Sequence, residues 1–290
     1  MIKHFLLLIL MLILAGVPAA ADPPQTEKQP SGWATETEDL PLDSMIELYQ
    51  PYAKNISFYR PIYFLVGTDP EESKFQISFK YQFFNPEKPL VIEHPWVQGF
   101  HLAYTQTSFW DLASESAPFE DTSYKPELFF LSPNLRKKHS AVRGLFLKTG
   151  LRHESNGRGG DFSRSTNTAY VESIVLFYNT NSKIGVRFAP RLWSYFFNDD
   201  QTNPDLADYR GYFNLGITIG KADSLVVDGN FGWAVEGPSA QVDLTLPLHT
   251  IISDHLDLYL QVQYVNSLAE SLLDYTNRTQ AFRIGFAIVR

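Results

Sequence analysis

The chain has 290 residues, a formal net charge of -8, 14% aromatic residues and no cysteine. Such a length accommodates one large domain, and the absence of cysteine excludes both a disulfide framework and a thiolate metal site. The acidic balance argues against a nucleic-acid partner.

The first 21 residues carry Lys3, then an unbroken apolar run from Phe5 to Ala15, then Ala19-Ala20-Ala21. This pattern predicts a signal peptide cut after Ala21, and so export. The apolar run is too short to serve comfortably as a membrane anchor. Residues 22–53 are expected to be a periplasmic N-terminal leader: Asp22 to Asp43 is polar and Pro-rich, and Ser44 to Tyr52 could form a short helix or plug-like segment. No later run approaches the roughly 20 apolar residues of a spanning helix. If the remainder lies in a membrane, it crosses as strands.

From residue 54 to 290 the sequence alternates in segments of about ten residues separated by turn formers, the signature of a membrane barrel. Phe75, Ile77, Phe79, Tyr81 and Phe83 share one face, as do Leu256, Leu258, Leu260, Val262 and Tyr264. Strands are expected at 55–66, 74–84, 96–112, 124–132, 143–155, 165–178, 183–196, 209–219, 223–234, 239–248, 255–265 and 280–288. The predicted fold is therefore all-β, an antiparallel transmembrane β-barrel of about twelve strands, preferred over a soluble sandwich. An even count places both termini on the periplasmic side. The short connections 179–182 and 220–222 then become periplasmic turns, and 113–123, 156–164, 197–207 and 266–278 become outer loops.

The strand at 143–155 carries the chemistry. Leu145, Leu147, Thr149 and Leu151 lie on one face, which continues as His153 and Ser155, while Lys148, Arg152 and Glu154 point the other way. His153 and Ser155 are then ~6.5–7 Å apart along the strand, a gap that an imidazole reaching toward a hydroxyl can close: a base beside a nucleophile. A hairpin closing through the turn formers Asn156-Gly157-Arg158-Gly159-Gly160-Asp161 returns Asn167 toward His153. Its side-chain oxygen can accept the ring N–H and hold the tautomer that leaves the other nitrogen free. A His-x-Ser tripeptide by itself is more often a chance pair. Here it continues the apolar face, on the outside wall, a placement that suits an enzyme whose substrate is the surrounding lipid. On the strand at 96–112 the row of Phe100, Leu102 and Tyr104 continues as Gln106. An amide in hydrocarbon is costly unless paired.

His153-Glu154-Ser155-Asn156-Gly157-Arg158, with Ser163-Arg164-Ser165 and Asn167, resembles the active-site signature of the outer-membrane phospholipase A family. The similarity extends upstream to Tyr104-Thr105-Gln106, Ser116-Ala117-Pro118-Phe119 and Tyr124-Lys125-Pro126-Glu127-Leu128-Phe129, and downstream to Asn203-Pro204-Asp205 and Glu270-Ser271-Leu272-Leu273-Asp274-Tyr275. It implies a calcium-dependent hydrolase of phospholipid and lysophospholipid acyl esters (A1/A2 type) with catalytic residues His153, Ser155 and Asn167. It further implies a homodimer in the outer membrane of a Gram-negative bacterium, with the active site near the outer leaflet. The Gly157 N–H would contribute the oxyanion site together with water on bound calcium. The calcium ligands would be the Arg158 backbone carbonyl, the Ser163 side chain and Ser116 of the partner subunit. A further family Asp falls on Asp200 if two residues are inserted, and on Thr202 if none are. By the same resemblance Gln106 bonds across the dimer interface; the competing reading is that it reaches lipid headgroups. The rival function is a porin or passive channel, against which Lys80, Lys148, Arg187 and Arg191 facing inward with Glu154 and Glu172 predict a filled core.

Overall fold

The computed structural model describes residues 50, 52–137, 141–198, 201–253 and 255–290. The expected signal peptide and nearly all of the expected leader lie outside the described residues. The compact unit that carries the strands is Gln50–Arg290.

Strands β1 (Ile56–Phe58) and β2 (Ile62–Gly67) lie along the same edge of β3 (Ser73–Gln82). A short helix α1 (Pro89–Glu93) precedes β4 (Phe100–Trp110), followed by β5 (Phe119–Leu131), β6 (Val142–Ser155), β7 (Ser165–Asn179) and β8 (Ile184–Tyr195). Helix α2 (Leu206–Arg210) leads into β9 (Phe213–Gly220), β10 (Val226–Ala234), β11 (Gly237–Pro247), β12 (Tyr259–Leu268) and β13 (Arg278–Val289). Each strand from β3 onward pairs antiparallel with the next, and β13 returns to β2 through Arg283↔Gly67 and Phe286↔Phe64. With β1 and β2 counted as one interrupted strand, the result is a closed twelve-stranded barrel. Closure pairs the backbone of every strand and leaves no edge, which a wall in contact with hydrocarbon requires.

The two faces separate as the alternation predicts. Ile77, Phe79, Leu102, Leu128, Leu147, Leu151, Phe188, Leu192, Phe282 and Ile284 are exposed on the outside, while Lys74, Ser78, Glu127, Lys148, Glu154, Gln263 and Arg283 are buried inside. This is the inverse of a water-soluble protein and the pattern of a barrel wall in lipid.

The interior is closed by ion pairs. Glu127 meets Lys148 at 2.9 Å, Arg191 at 3.4 Å and Arg60 at 3.8 Å, and accepts from the Tyr59 hydroxyl at 2.8 Å. Glu154 meets Arg210 at 2.9 Å, Lys125 at 3.8 Å and Arg152 at 3.9 Å. Arg187 pairs with Glu172 at 3.1 Å. In the connection 269–277, Glu270 meets Lys74 at 2.7 Å and Arg283 at 2.8 Å. Burial opposes the charged form of Glu270, but these two cations outweigh it and hold its carboxyl down at about 2.

Several boundaries differ from expectation, each for a local reason. The strand expected at 55–66 is broken between Phe58 and Ile62, where Pro61 has no N–H to give a ladder and Tyr59 stacks inward on Phe129. The strand expected from residue 209 starts at Phe213, because Leu206–Arg210 form a helix. Gly211 ends that helix at φ +69, and a Cβ there would lie 2.0 Å from the Trp233 carbonyl oxygen. At the other sheet position β5 begins at Phe119, so five residues expected in a loop are strand, whereas β12 begins only at Tyr259. The connections at the end holding residues 180–183 are not uniformly short: 83–99 contains α1, and 248–258 is also extended.

Candidate active site

The register of β6 and β7 sets His153 directly opposite Asn167, and Ser155 opposite Ser165. All four share the outer face with the exposed Leu147 and Leu151. His153 Nδ1 lies 2.9 Å from Asn167 Oδ1. Because a carboxamide oxygen only accepts, Nδ1 is the donor in this pair, which in the neutral ring makes Nε2 the accepting nitrogen. Ser155 makes no side-chain hydrogen bond among the described residues, so its hydroxyl is free to turn toward that nitrogen.

The orientation of Asn167 is fixed from the connection between β8 and β9. Its Nδ2 donates to the Phe197 carbonyl at 3.1 Å, which leaves Oδ1 for the imidazole. Its backbone N–H donates to Asn198 Oδ1 at 2.7 Å, and Phe196 N–H donates to its carbonyl at 3.1 Å. Phe197 sits at φ +47 and is 93% exposed, so what it contributes to the site is a carbonyl rather than packing. Neither Phe197 nor Asn198 stands out in the sequence. They lie past the end of an alternating run, where periodicity says nothing about direction.

Connection 156–164 is shaped by Asn156, which is buried. Its Nδ2 donates to the Phe162 carbonyl at 2.9 Å, while its Oδ1 accepts from Arg164 N–H at 3.0 Å and Arg158 N–H at 3.3 Å. Gly157 follows at φ +69, and a Cβ there would come 2.9 Å from the ring of Tyr124. Both the left-handed backbone and the space require glycine. Tyr124 is the β5 residue opposite Ser155. The Gly157 N–H has no hydrogen-bond partner within the described residues, as an oxyanion donor must not.

The oxygens named for calcium are available in the same way. The Arg158 carbonyl and Ser163 hydroxyl accept no hydrogen bond from the described residues, and Arg158's side chain is turned away, onto the carbonyl of Glu120 and toward Asp121. Ser116 is exposed in the connection between β4 and β5, and its hydroxyl has no partner in its own chain among the described residues. No three His, Cys, Asp or Glu side chains of the described residues converge. The donors present are neutral oxygens, a hard set that calcium accepts. Asp200 lies outside the described residues. Gln106 stands on the outer wall as expected, yet its amide is already engaged within the chain: Oε1 accepts from the Tyr104 hydroxyl at 3.0 Å and Nε2 donates to Ser108 Oγ at 3.3 Å. One N–H and one lone pair remain for a further partner.

Fold and site together define a membrane-type β-barrel that carries a serine, a histidine and an asparagine on its outer wall. A family model described as Phospholipase A1 matches residues 49–288, and the chain belongs to that family. The phospholipase A1 proteins of Salmonella typhimurium and Escherichia coli K12 are each 33% identical to it, over 193 and 192 residues. These matches span 64% of this chain and about 60% of the length of either relative. Among solved structures, outer membrane phospholipase A from Escherichia coli is similar at 25% identity and TM-score 0.65, covering 81% of this chain and 98% of that one. The Salmonella typhi outer membrane phospholipase dimer with bound calcium shares the fold, at 23% identity and TM-score 0.66, over 84% and 96% of the two chains.

Proposed function

We propose that this protein is a calcium-dependent outer-membrane phospholipase that hydrolyses acyl esters of phospholipids and lysophospholipids, of A1/A2 type, at the lipid-facing wall of its barrel. The observation that carries the reading is the His153–Asn167 pair at 2.9 Å on the outer face, with Ser155 next on the same row. In this reading the Ser155 hydroxyl attacks the ester carbonyl carbon while His153 Nε2 takes its proton. The same imidazolium then protonates the departing glycerol oxygen as its bond to the acyl carbon breaks. Water, deprotonated by His153, releases the fatty acid and restores the serine. Asn167 stabilises the imidazolium by keeping Nδ1–H bonded throughout. The Gly157 N–H stabilises the negative charge that develops on the carbonyl oxygen. Calcium held by the Arg158 carbonyl, Ser163 and Ser116 of the partner subunit would supply further positive charge at that position.

The proposed location is the outer membrane of a Gram-negative bacterium, with strands across the bilayer and the active site near the outer leaflet; the closed barrel with an apolar outer wall supports it. The shared calcium site makes the homodimer the active form, with Gln106 at the interface through its remaining N–H and lone pair. The channel alternative has less support, because an open lumen is hard to reconcile with Glu127, Glu154 and Glu270 each holding two or more cations inside the barrel.

The test is calcium-dependent release of fatty acid from phospholipid in mixed micelles by the purified protein, set beside its conductance in planar bilayers. Hydrolysis that stops on chelation and returns with calcium is the expected result. Conductance without hydrolysis would overturn the reading.

A further inference from the structure

Asp121 stands two residues into β5, at the end of the barrel that bears the active site, with its side chain almost wholly buried. Its Oδ2 accepts the backbone N–H groups of Leu272 at 3.1 Å and Leu273 at 3.0 Å, which ties down the connection 269–277. Its Oδ1 has no hydrogen-bond partner among the described residues and faces Arg158 Nε at 3.9 Å. A buried carboxylate oxygen without a donor is unfavourable unless a cation stands near it. The cation here is Arg158, and its Nη2 donates to the carbonyl of Glu120, the residue before Asp121. One guanidinium thus grips two consecutive residues at the head of β5.

What Arg158 brings to that grip is its own backbone. Gly157 supplies the free N–H and Arg158 the free carbonyl, so the two groups assigned to the oxyanion and to calcium flank two consecutive α-carbons and the peptide between them. The other polar contacts of connection 156–164 run within it or to its flanking residues, through Asn156, Arg164 and the Ser163 N–H to Gly160 carbonyl bond. Among the described residues the Arg158 side chain is the only polar link from this connection to β5. A guanidinium held at both Asp121 and Glu120 therefore fixes where the Arg158 peptide lies relative to Ser155, whose strand neighbour Tyr124 is also on β5.

We propose that Asp121 is a positioning residue: through Arg158 it holds the Gly157–Arg158 backbone in the conformation that binds calcium. The inference rests on the reading of Arg158 and Gly157 given under the proposed function. Residues that orient metal ligands without touching the metal change affinity by about 10- to 100-fold when removed. Because calcium itself pulls the carbonyl into place, saturating calcium compensates for a lost tether, whereas general damage to the barrel lowers the rate at every calcium concentration.

The experiment is a direct calcium titration of the purified protein in detergent by calorimetry, with hydrolysis measured on the same samples across calcium concentration. Asp121→Asn keeps an oxygen for the Leu272 and Leu273 N–H groups and removes the charge facing Arg158. It is expected to weaken calcium binding about 10-fold and to recover most of the wild-type rate at saturating calcium. Arg158→Gln leaves the backbone carbonyl intact and, because it also loses the bond to the Glu120 carbonyl, should weaken binding at least as much. The double variant should be no worse than Arg158→Gln alone, since the contact with Asp121 is already lost in that variant. Heat-modifiable gel migration reports whether each barrel is folded. If Asp121→Asn does not fold, Arg158→Gln carries the test, and an unchanged calcium titration in it overturns the proposal. A wild type that needs calcium beside an Asp121→Asn variant with unaltered calcium binding overturns this inference alone. A wild type indifferent to calcium overturns the functional reading and this inference with it.

Discussion

The two faces of β6 are built on opposite plans. On the inner face Lys148, Arg152 and Glu154 are each locked by ion pairs, and Glu154 alone meets three cations. On the outer face Leu147 and Leu151 are exposed to lipid, His153 has a single side-chain partner, and Ser155 has none among the described residues. Glu154 lies between His153 and Ser155 in sequence, so the ion pairs that hold its side chain also hold the backbone from which both project. The stiffness of the site comes from one side of the strand, and its reactivity from the other. On its own face the site has only the contact with Asn167, and the rest of its support is placed behind it.

The largest effect that would sharpen this contrast is a change on the outer face that leaves the fold alone. Ser155→Ala is expected to lower hydrolysis by about a thousandfold or more, leaving the residual that binding and oxyanion stabilisation provide. Heat-modifiable migration should be unchanged. Retained turnover above that residual would remove Ser155 as the nucleophile. The inner face should behave in the reverse way: Glu154→Ala strands Arg210, Lys125 and Arg152 and is expected to cost about 3–5 kcal/mol of barrel stability, read from denaturant unfolding in detergent. A variant as stable as wild type would show that the pairs behind the site do not support it.

Acid should act on a separate ion-pair cluster, that of Glu270 with Lys74 and Arg283. Glu270 is held at about 2, below its ordinary value of 4.5, so its ionised form stabilises the folded state. That contribution is complete above about pH 4.5, is lost as pH falls through about 2, and is on the order of 3 kcal/mol. Glu270→Gln should flatten the stability profile between those limits. A profile with the same slope in wild type and variant would assign the acid sensitivity elsewhere. Smaller still, Asn167→Ala is expected to cost about 10- to 100-fold in rate, since it removes an orienting group that takes no proton. Asn167→Asp should retain much of the activity because a carboxylate accepts the same bond. Wild-type rates in Asn167→Ala would mean that Phe197 and Asn198 hold an asparagine with no part in the reaction.

The outline of this arrangement is legible in the sequence because period-two alternation states which residues share a face. It places His153 and Ser155 with Leu147 and Leu151, and Glu154 with Lys148. The hairpin register that sets His153 opposite Asn167 follows from the turn formers between them. What alternation cannot express is contact across a closed ring. The ion pair of Lys74 with Glu270 joins residues at opposite ends of the barrel sequence, and Arg60 reaches Glu127 only because the first strand breaks at Pro61. Helix α2 is hidden for another reason: Tyr209 fits an extended pattern as well as a helical one over so few residues, and Gly211 decides the matter through its backbone. Asn198, Phe197 and Asp121 act through hydrogen bonds whose partners are set by the fold rather than by spacing.

The arrangement on β6 requires a nucleophile that faces lipid. It is tested most directly by treating the protein, in detergent with calcium, with two sulfonyl fluorides, one bearing a long alkyl chain and one small and water-soluble. Peptide mass spectrometry then locates the adduct. Modification is expected at Ser155, much faster with the alkyl reagent and abolished in His153→Ala. Labelling at another serine, or preference for the soluble reagent, would contradict it.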